Sequence, residues 1–221
     1  MHLLLFGLLI VGCGCNLQVS VDTKGEYRLS IDNRLWLRSS HTSIYVDDKW
    51  YSSDDKSLPL ANITFAQGMD AILGNWNETQ LIYDLVRNGT HTKVTGHIRQ
   101  WTLISAITFY FDTGDQVLTN TKHLDMKEVR TVFSSFEIER IDEKDQRGYF
   151  TYAGEMAGNN DKRAGHWERV AKVVESGMLG GPVVLFDFNQ KGEEDMLVLS
   201  PFSRFMATSF GQKSVRLEYD V

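Results

Sequence analysis

The groups able to do chemistry are scattered along the chain. Its 221 residues carry 29 acidic side chains, six histidines and two cysteines. His41, His91, His97, His123 and His166 include no pair at the spacing of an HExxH metal helix. His91 and His97 are an even number of residues apart, which puts both on one strand face as exposed histidines beside a turn. Glu193, Glu194 and Asp195 offer oxygen ligands of the kind calcium takes, but lack the spacing of a known loop and read as an exposed acidic turn. Asp187 follows an apolar run and reads as a strand-end turn residue. No G-x-S-x-G, P-loop or dinucleotide fingerprint is present. These residues assign no catalytic group, metal site or cofactor. Aromatic faces beside hydrogen-bonding groups suit sugar binding, and Trp50, Trp76 and Trp101 are the candidates. Burial in the core is the stronger competing reading at each, and Trp36 and Trp167 read as core outright.

The elements that must position these groups are strands. The organising stretch is Gly180 to Phe210. Val183 to Phe186 and Met196 to Leu199 are apolar runs around a polar turn from Asn189 to Asp195, and Pro201 stops the second run. Runs apolar on both faces belong inside a sheet, not at its edge. Period-two alternation marks Leu17–Val21, Tyr27–Ile31 and Val215–Tyr219. Asp32-Asn33, Asp47-Asp48-Lys49 and Asn88-Gly89 are hairpin turns. Ser52–Pro59 reads as a loop, and Phe65–Asn75 as irregular. Trp101–Phe111 reads as one strong strand, and further strands fall near Gln116–Leu118, Val129–Ile138 and Gly148–Gly154. Glu139–Arg147 reads as a charged, exposed loop. One helix is expected from Arg163 to Gly177, where Trp167, Val170, Ala171, Val174 and Met178 recur at helical spacing. About twelve to fifteen strands with a turn roughly every eight to twelve residues predict an all-β sandwich or barrel with one short helix.

Composition narrows the partners. The net charge is -6 with no basic run, which argues against nucleic acid or an anionic membrane. Leu3 to Val11 is apolar and too short to span a bilayer, so residues 1–15 read as a secretory leader; a buried first strand and lipidation at Cys13 are the alternatives. A cut after Cys15 leaves residues 16–221 as a single cysteine-free domain. The sequons at Asn62, Asn77 and Asn88 fit a secreted, glycosylated protein.

Five phrases carry a resemblance: EYRLSIDNRLWLRSSHTSIYVDDKWYS, VRTVFSSFEIE, RGYFTYAGEMAG, GGPVVLFDFNQ and MLVLSPFSRFMATS. Together they resemble the N-terminal β domain of large secreted proteins similar to the α-galactosidase and raffinose-synthase glycoside hydrolases. The resemblance implies a two-sheet sandwich of the galactose-mutarotase type. It also implies a non-catalytic role beside a downstream catalytic barrel that this chain lacks. Glycoside hydrolysis needs two carboxylates about 5 to 9.5 Å apart, and among 29 acids nothing singles out a pair. The alternatives are a stand-alone carbohydrate-binding, lectin-like module, an interaction protein of the cell surface, and a mutarotase-type enzyme using a histidine and a carboxylate.

Overall fold

The computed structural model describes residues 8–12, 16–114, 131–137, 147–152, 162–166, 178–179, 183–188, 194–201, 206–210 and 214–219. Two antiparallel sheets of nine strands each face one another as a β-sandwich. In chain order the strands are β1 (Leu8–Gly12), β2 (Leu17–Val21), β3 (Tyr27–Ile31), β4 (Arg34–Ser39), β5 (Ser43–Val46), β6 (Lys49–Ser52), β7 (Leu60–Asp70), β8 (Gly74–Arg87) and β9 (Thr90–Trp101). They continue as β10 (Ala106–Asp112), β11 (Thr131–Glu137), β12 (Gly148–Tyr152), β13 (Lys162–His166), β14 (Met178–Leu179), β15 (Val183–Phe188), β16 (Glu194–Pro201), β17 (Met206–Phe210) and β18 (Ser214–Tyr219). Sheet A runs β13-β12-β15-β16-β1-β10-β9-β8-β7. Sheet B runs β14-β17-β18-β11-β4-β3-β2, with β5 on β11 and β6 on β5.

Turn chemistry sets the hairpins. Asp32 and Asn33, Asp47 and Asp48, and Asn88 and Gly89 each put two consecutive residues at positive φ. That is the tight turn whose twist matches the flanking strands, and Asn, Asp and Gly tolerate it best. The residue pattern then decides which face is buried. On β8, Leu81, Tyr83 and Leu85 face sheet B, while Gln80, Ile82 and Asp84 face out. The centre of the sandwich is aromatic. Tyr27 lies 5.4 Å from Phe109 and 5.7 Å from Phe136, and Phe109 lies 5.5 Å from Phe136, ring centre to ring centre. Phe133 presses on the β9 backbone at Gly96, where a Cβ would stand 2.6 Å from its ring.

The β15–β16 hairpin sits inside sheet A, as its apolar runs predict, with Val183 opposite Leu199 and Leu185 opposite Leu197. Only one of its faces is fully buried: Val184, Phe186, Met196 and Val198 are half-buried. Three further expectations are corrected. Phe65–Asn75 is no irregular stretch but the end of β7, a turn and the start of β8. Asp70 Oδ1 closes that turn by accepting from the N–H of Ile72 and of Leu73. The strand is at an edge and none of its residues is fully buried, so no contrast of burial sharpens its period. Trp101–Phe111 is two strands, because residues 102–105 turn between β9 and β10. Trp36 is in the core, as expected, together with Leu37, because it is the extra residue of a bulge: Leu29 pairs with Leu37 and Ser30 with Leu35. The expected helix does not begin at Arg163, since residues 162–166 pair as β13 with β12 and the apolar stripe starts only at Trp167. Residues 167–177, the expected strand at Gln116–Leu118, Trp167 and Glu193 lie outside the described residues.

Candidate ligand-binding cleft

A polar cleft of about 420 Å³ lies at one end of the sandwich. The β2–β3 turn gives it Lys24, Gly25 and Glu26, the end of β4 gives Arg38 to Ser40, and His41 and Thr42 follow. Ser53 and Asp54 close it from the β6 side, Tyr83 from β8 and Glu137 from β11. Its size is in the range of small-ligand sites, which run to about 300–1,000 Å³.

Hydrogen bonds hold the wall in place. Thr42 Oγ1 and the Tyr83 hydroxyl are 3.1 Å apart. The Thr42 N–H donates to Ser53 Oγ at 3.0 Å, and the Tyr27 N–H donates to Ser39 Oγ at 2.9 Å. Tyr27 donates its hydroxyl to the Ser135 carbonyl. Burial pushes the Tyr27 and Tyr83 phenols above their ordinary value, so both stay protonated hydrogen-bonders. His41 Nδ1 stands 3.2 Å from Asp54 Oδ2 and 3.2 Å from Ser40 Oγ. With the proton on Nδ1, the imidazole donates to Asp54 and keeps the Nε2 lone pair as an acceptor. The Ser40 contact is also to Nδ1, so Ser40, His41 and Asp54 do not form a relay in which the far nitrogen activates a serine.

The sequence-predicted tryptophans lie elsewhere. Trp76 and Trp101 are register partners on the outer face of sheet A. Trp50 is on β6, exposed, with its ring 5.4 Å from that of Tyr45. Trp101 is buried. Trp76 lies across Gly68, where a Cβ would come within 2.2 Å of its ring, and carries the Arg99 guanidinium 3.9 Å from its ring centre. That contact occupies the face a sugar would use.

Beside them is a buried polar network. Glu78 accepts from His97 Nδ1 at 2.9 Å, Gln80 at 2.8 Å, Arg99 at 2.8 Å and the Tyr110 hydroxyl at 2.7 Å. His97 stacks on Tyr110 at 4.1 Å. His91 and His97 do share the outer face of β9, and His91 pairs with Asp84 at 2.7 Å. Asp187 is not a turn residue: it lies within β15, buried, and bonds Arg34 of β4 across the sandwich. Arg147, expected in an exposed loop, is buried with its Nε 3.4 Å from the same carboxylate. Of the expected acidic turn, Glu194 is exposed and Asp195 is buried opposite Asp187. The Asp187 and Arg147 corrections have one cause: charged residues enter the interior when they arrive as partners. Asn62, Asn77 and Asn88 are all exposed.

Among the described residues, no group of three or more His, Cys, Asp or Glu is placed to hold a metal ion. No helix among them is long and apolar enough to cross a membrane. No protein-family model matches the chain, and no curated protein is significantly similar to it.

Proposed function

We propose that this sandwich binds a carbohydrate in the cleft around His41, Thr42 and Tyr83, as the non-catalytic N-terminal module of a secreted, glycoside-hydrolase-like protein. A catalytic barrel beside it would carry the hydrolytic carboxylates. The observation that carries the reading is the cleft's lining: hydroxyl, imidazole, carboxylate and cationic groups converge in one concave site. A polyhydroxylated ligand satisfies such a mixture of donors and acceptors, whereas an apolar ligand leaves it unpaired. Secretion is supported by the exposure of all three sequons. The test is retention on immobilised glycans. Binding that Asp54→Ala and His41→Ala each weaken by about tenfold or more, near 1.4 kcal/mol, supports the cleft. Absence of retention on any glycan sinks it.

A second reading rests on His41 and Asp54 meeting in that cleft at 3.2 Å. A histidine oriented by a carboxylate is the equipment for moving a proton at a sugar's anomeric centre. Anomer interconversion by the purified chain, above the buffer rate and abolished by His41→Ala, would favour this enzyme over a binding module. An unaccelerated rate removes it.

A further inference from the structure

We infer that N-glycans on Asn62 and Asn77 shield the open edge of sheet A and so keep the protein from pairing with a second copy of itself. The inference rests on the secretory reading above.

Among the described residues β7 pairs with β8 and with no other strand, so its second row of backbone N–H and C=O groups is open. The edge is long and lightly guarded: β7 runs for 11 residues, its only charged residue is the last, Asp70, and the one irregularity in its register lies at its start, between Leu60 and Asn62. It holds no lysine, no proline and no internal charge, the devices that normally blunt such an edge. It is also sticky, since Phe65 and Met69 are each 77 % exposed.

Two of the sequons straddle this edge. Asn62 is opposite Ile82, on the outer face of the sheet with Thr64 and Gln80. Asn77 is opposite Gln67, two pairs along from Phe65–Thr79 and so on the same face, the one turned toward sheet B. Side chains directly opposite share a face, so the two asparagines flank β7 from opposite sides of the sheet. A glycan on each is a bulky, hydrated group that a docking strand must displace. The third sequon, Asn88, sits at the tip of the β8–β9 turn, away from that part of the edge.

The experiment secretes the full chain from a glycosylating host and compares four proteins by light scattering and peptide mass spectrometry. Wild type carries glycans at Asn62 and Asn77 and is monomeric. Asn62→Gln with Asn77→Gln gives dimers or larger species, while Thr90→Ala, which removes only the Asn88 sequon, stays monomeric. Adding Phe65→Lys to the double variant restores the monomer, because a charge at the edge opposes a partner strand. A glycosylated wild type with a monomeric double variant overturns the inference and leaves the secretory reading intact. Unmodified Asn62 and Asn77 in the secreted protein overturn the inference, and a chain that the host does not secrete overturns both. Association that Phe65→Lys does not reverse places the contact elsewhere and also overturns the inference.

Discussion

The Tyr110 hydroxyl donates to the Glu78 carboxylate at 2.7 Å, across β9, from two strands that do not pair with each other. Burial by itself would raise the Glu78 carboxyl. Hydrogen bonds from His97, Gln80 and Tyr110 outweigh that and bring it to about 2, against an ordinary 4.5. A carboxyl depressed in the folded state adds stability above its unfolded pKa. That stability, at most about 3 kcal/mol, is lost as pH falls from about 4.5 toward 2. Thermal melts should therefore show wild type losing its advantage over Glu78→Gln across that window. Parallel melting curves for the two proteins from pH 5 to 2 would exclude Glu78 as the source. Burial first, and then the Glu78 carboxylate, push the Tyr110 phenol above its ordinary value, so its contribution is present below pH 10 and lost above it.

Asp187 ties the sheets together by the same chemistry, from β15 to Arg34 on β4. Arg147 joins them and donates to the Leu35 carbonyl at 2.9 Å, with its guanidinium 5.1 Å from the Trp36 ring centre. Removing the acid leaves buried positive charge with a lost partner. Asp187→Ala should cost about 3–5 kcal/mol in urea unfolding, far more than truncating an exposed acid such as Glu194. A loss below about 1 kcal/mol would mean that the pair contributes nothing net.

The three candidate tryptophans separate by environment. Trp101→Ala should destabilise by about 3–5 kcal/mol, since the ring is buried. Trp76→Ala should cost less, through lost contact with Gly68 and Arg99, and should leave glycan retention unchanged. Trp50→Ala should leave the melting temperature nearly unchanged. Loss of retention on replacing Trp50 or Trp76, with the cleft variants silent, would return the binding site to the tryptophans.

What the sequence discloses follows from the range of each interaction. Turns are local, so Asp32-Asn33, Asp47-Asp48 and Asn88-Gly89 could be read directly. The all-β class follows from alternation repeated along the chain. Pairings between distant segments leave no local mark. Asp187 meets Arg34 across 153 positions, and Tyr27 meets Ser135 across 108. The cleft is built that way too: it draws on the β2–β3 turn, the end of β4, β6, β8 and β11, and none of those segments carries a motif. His41 was visible only as one of several scattered histidines. Its neighbours Ser40, Thr42 and Ser53 are small polar residues near strand ends, where loop chemistry alone would place them.

Gly96 makes a steric prediction. A methyl group there meets the Phe133 ring at 2.6 Å, inside the aromatic core, where neither the ring nor the β9 backbone has room to withdraw. Gly96→Ala should cost about 1–3 kcal/mol. At Gly89 nothing lies within 4 Å, but φ is +78°, so Gly89→Ala should cost about 1 kcal/mol by backbone strain alone. Adding Phe133→Leu to each variant separates the causes. The smaller side chain should recover part of the Gly96→Ala loss and none of the Gly89→Ala loss, and equal behaviour would remove the steric account.

The segment read as a leader also bears on stability. β1 pairs with β10 from Leu8 to Val11 and with β16 from Leu8 to Gly12. It is the seam between the β13-β12-β15-β16 half of sheet A and the β10-β9-β8-β7 half. A cut after Cys15 removes that seam and strips partners from two rows of backbone groups, at about 0.5–1.5 kcal/mol for each hydrogen bond not replaced. A chain beginning at Asn16 should then melt lower than one beginning at Met1, by about 2–4 °C for every kcal/mol lost. Amide exchange should rise in β10 and β16 and stay unchanged in the β2–β3–β4 part of sheet B. Equal melting and equal protection would mean that β10 and β16 close on each other once the leader is gone.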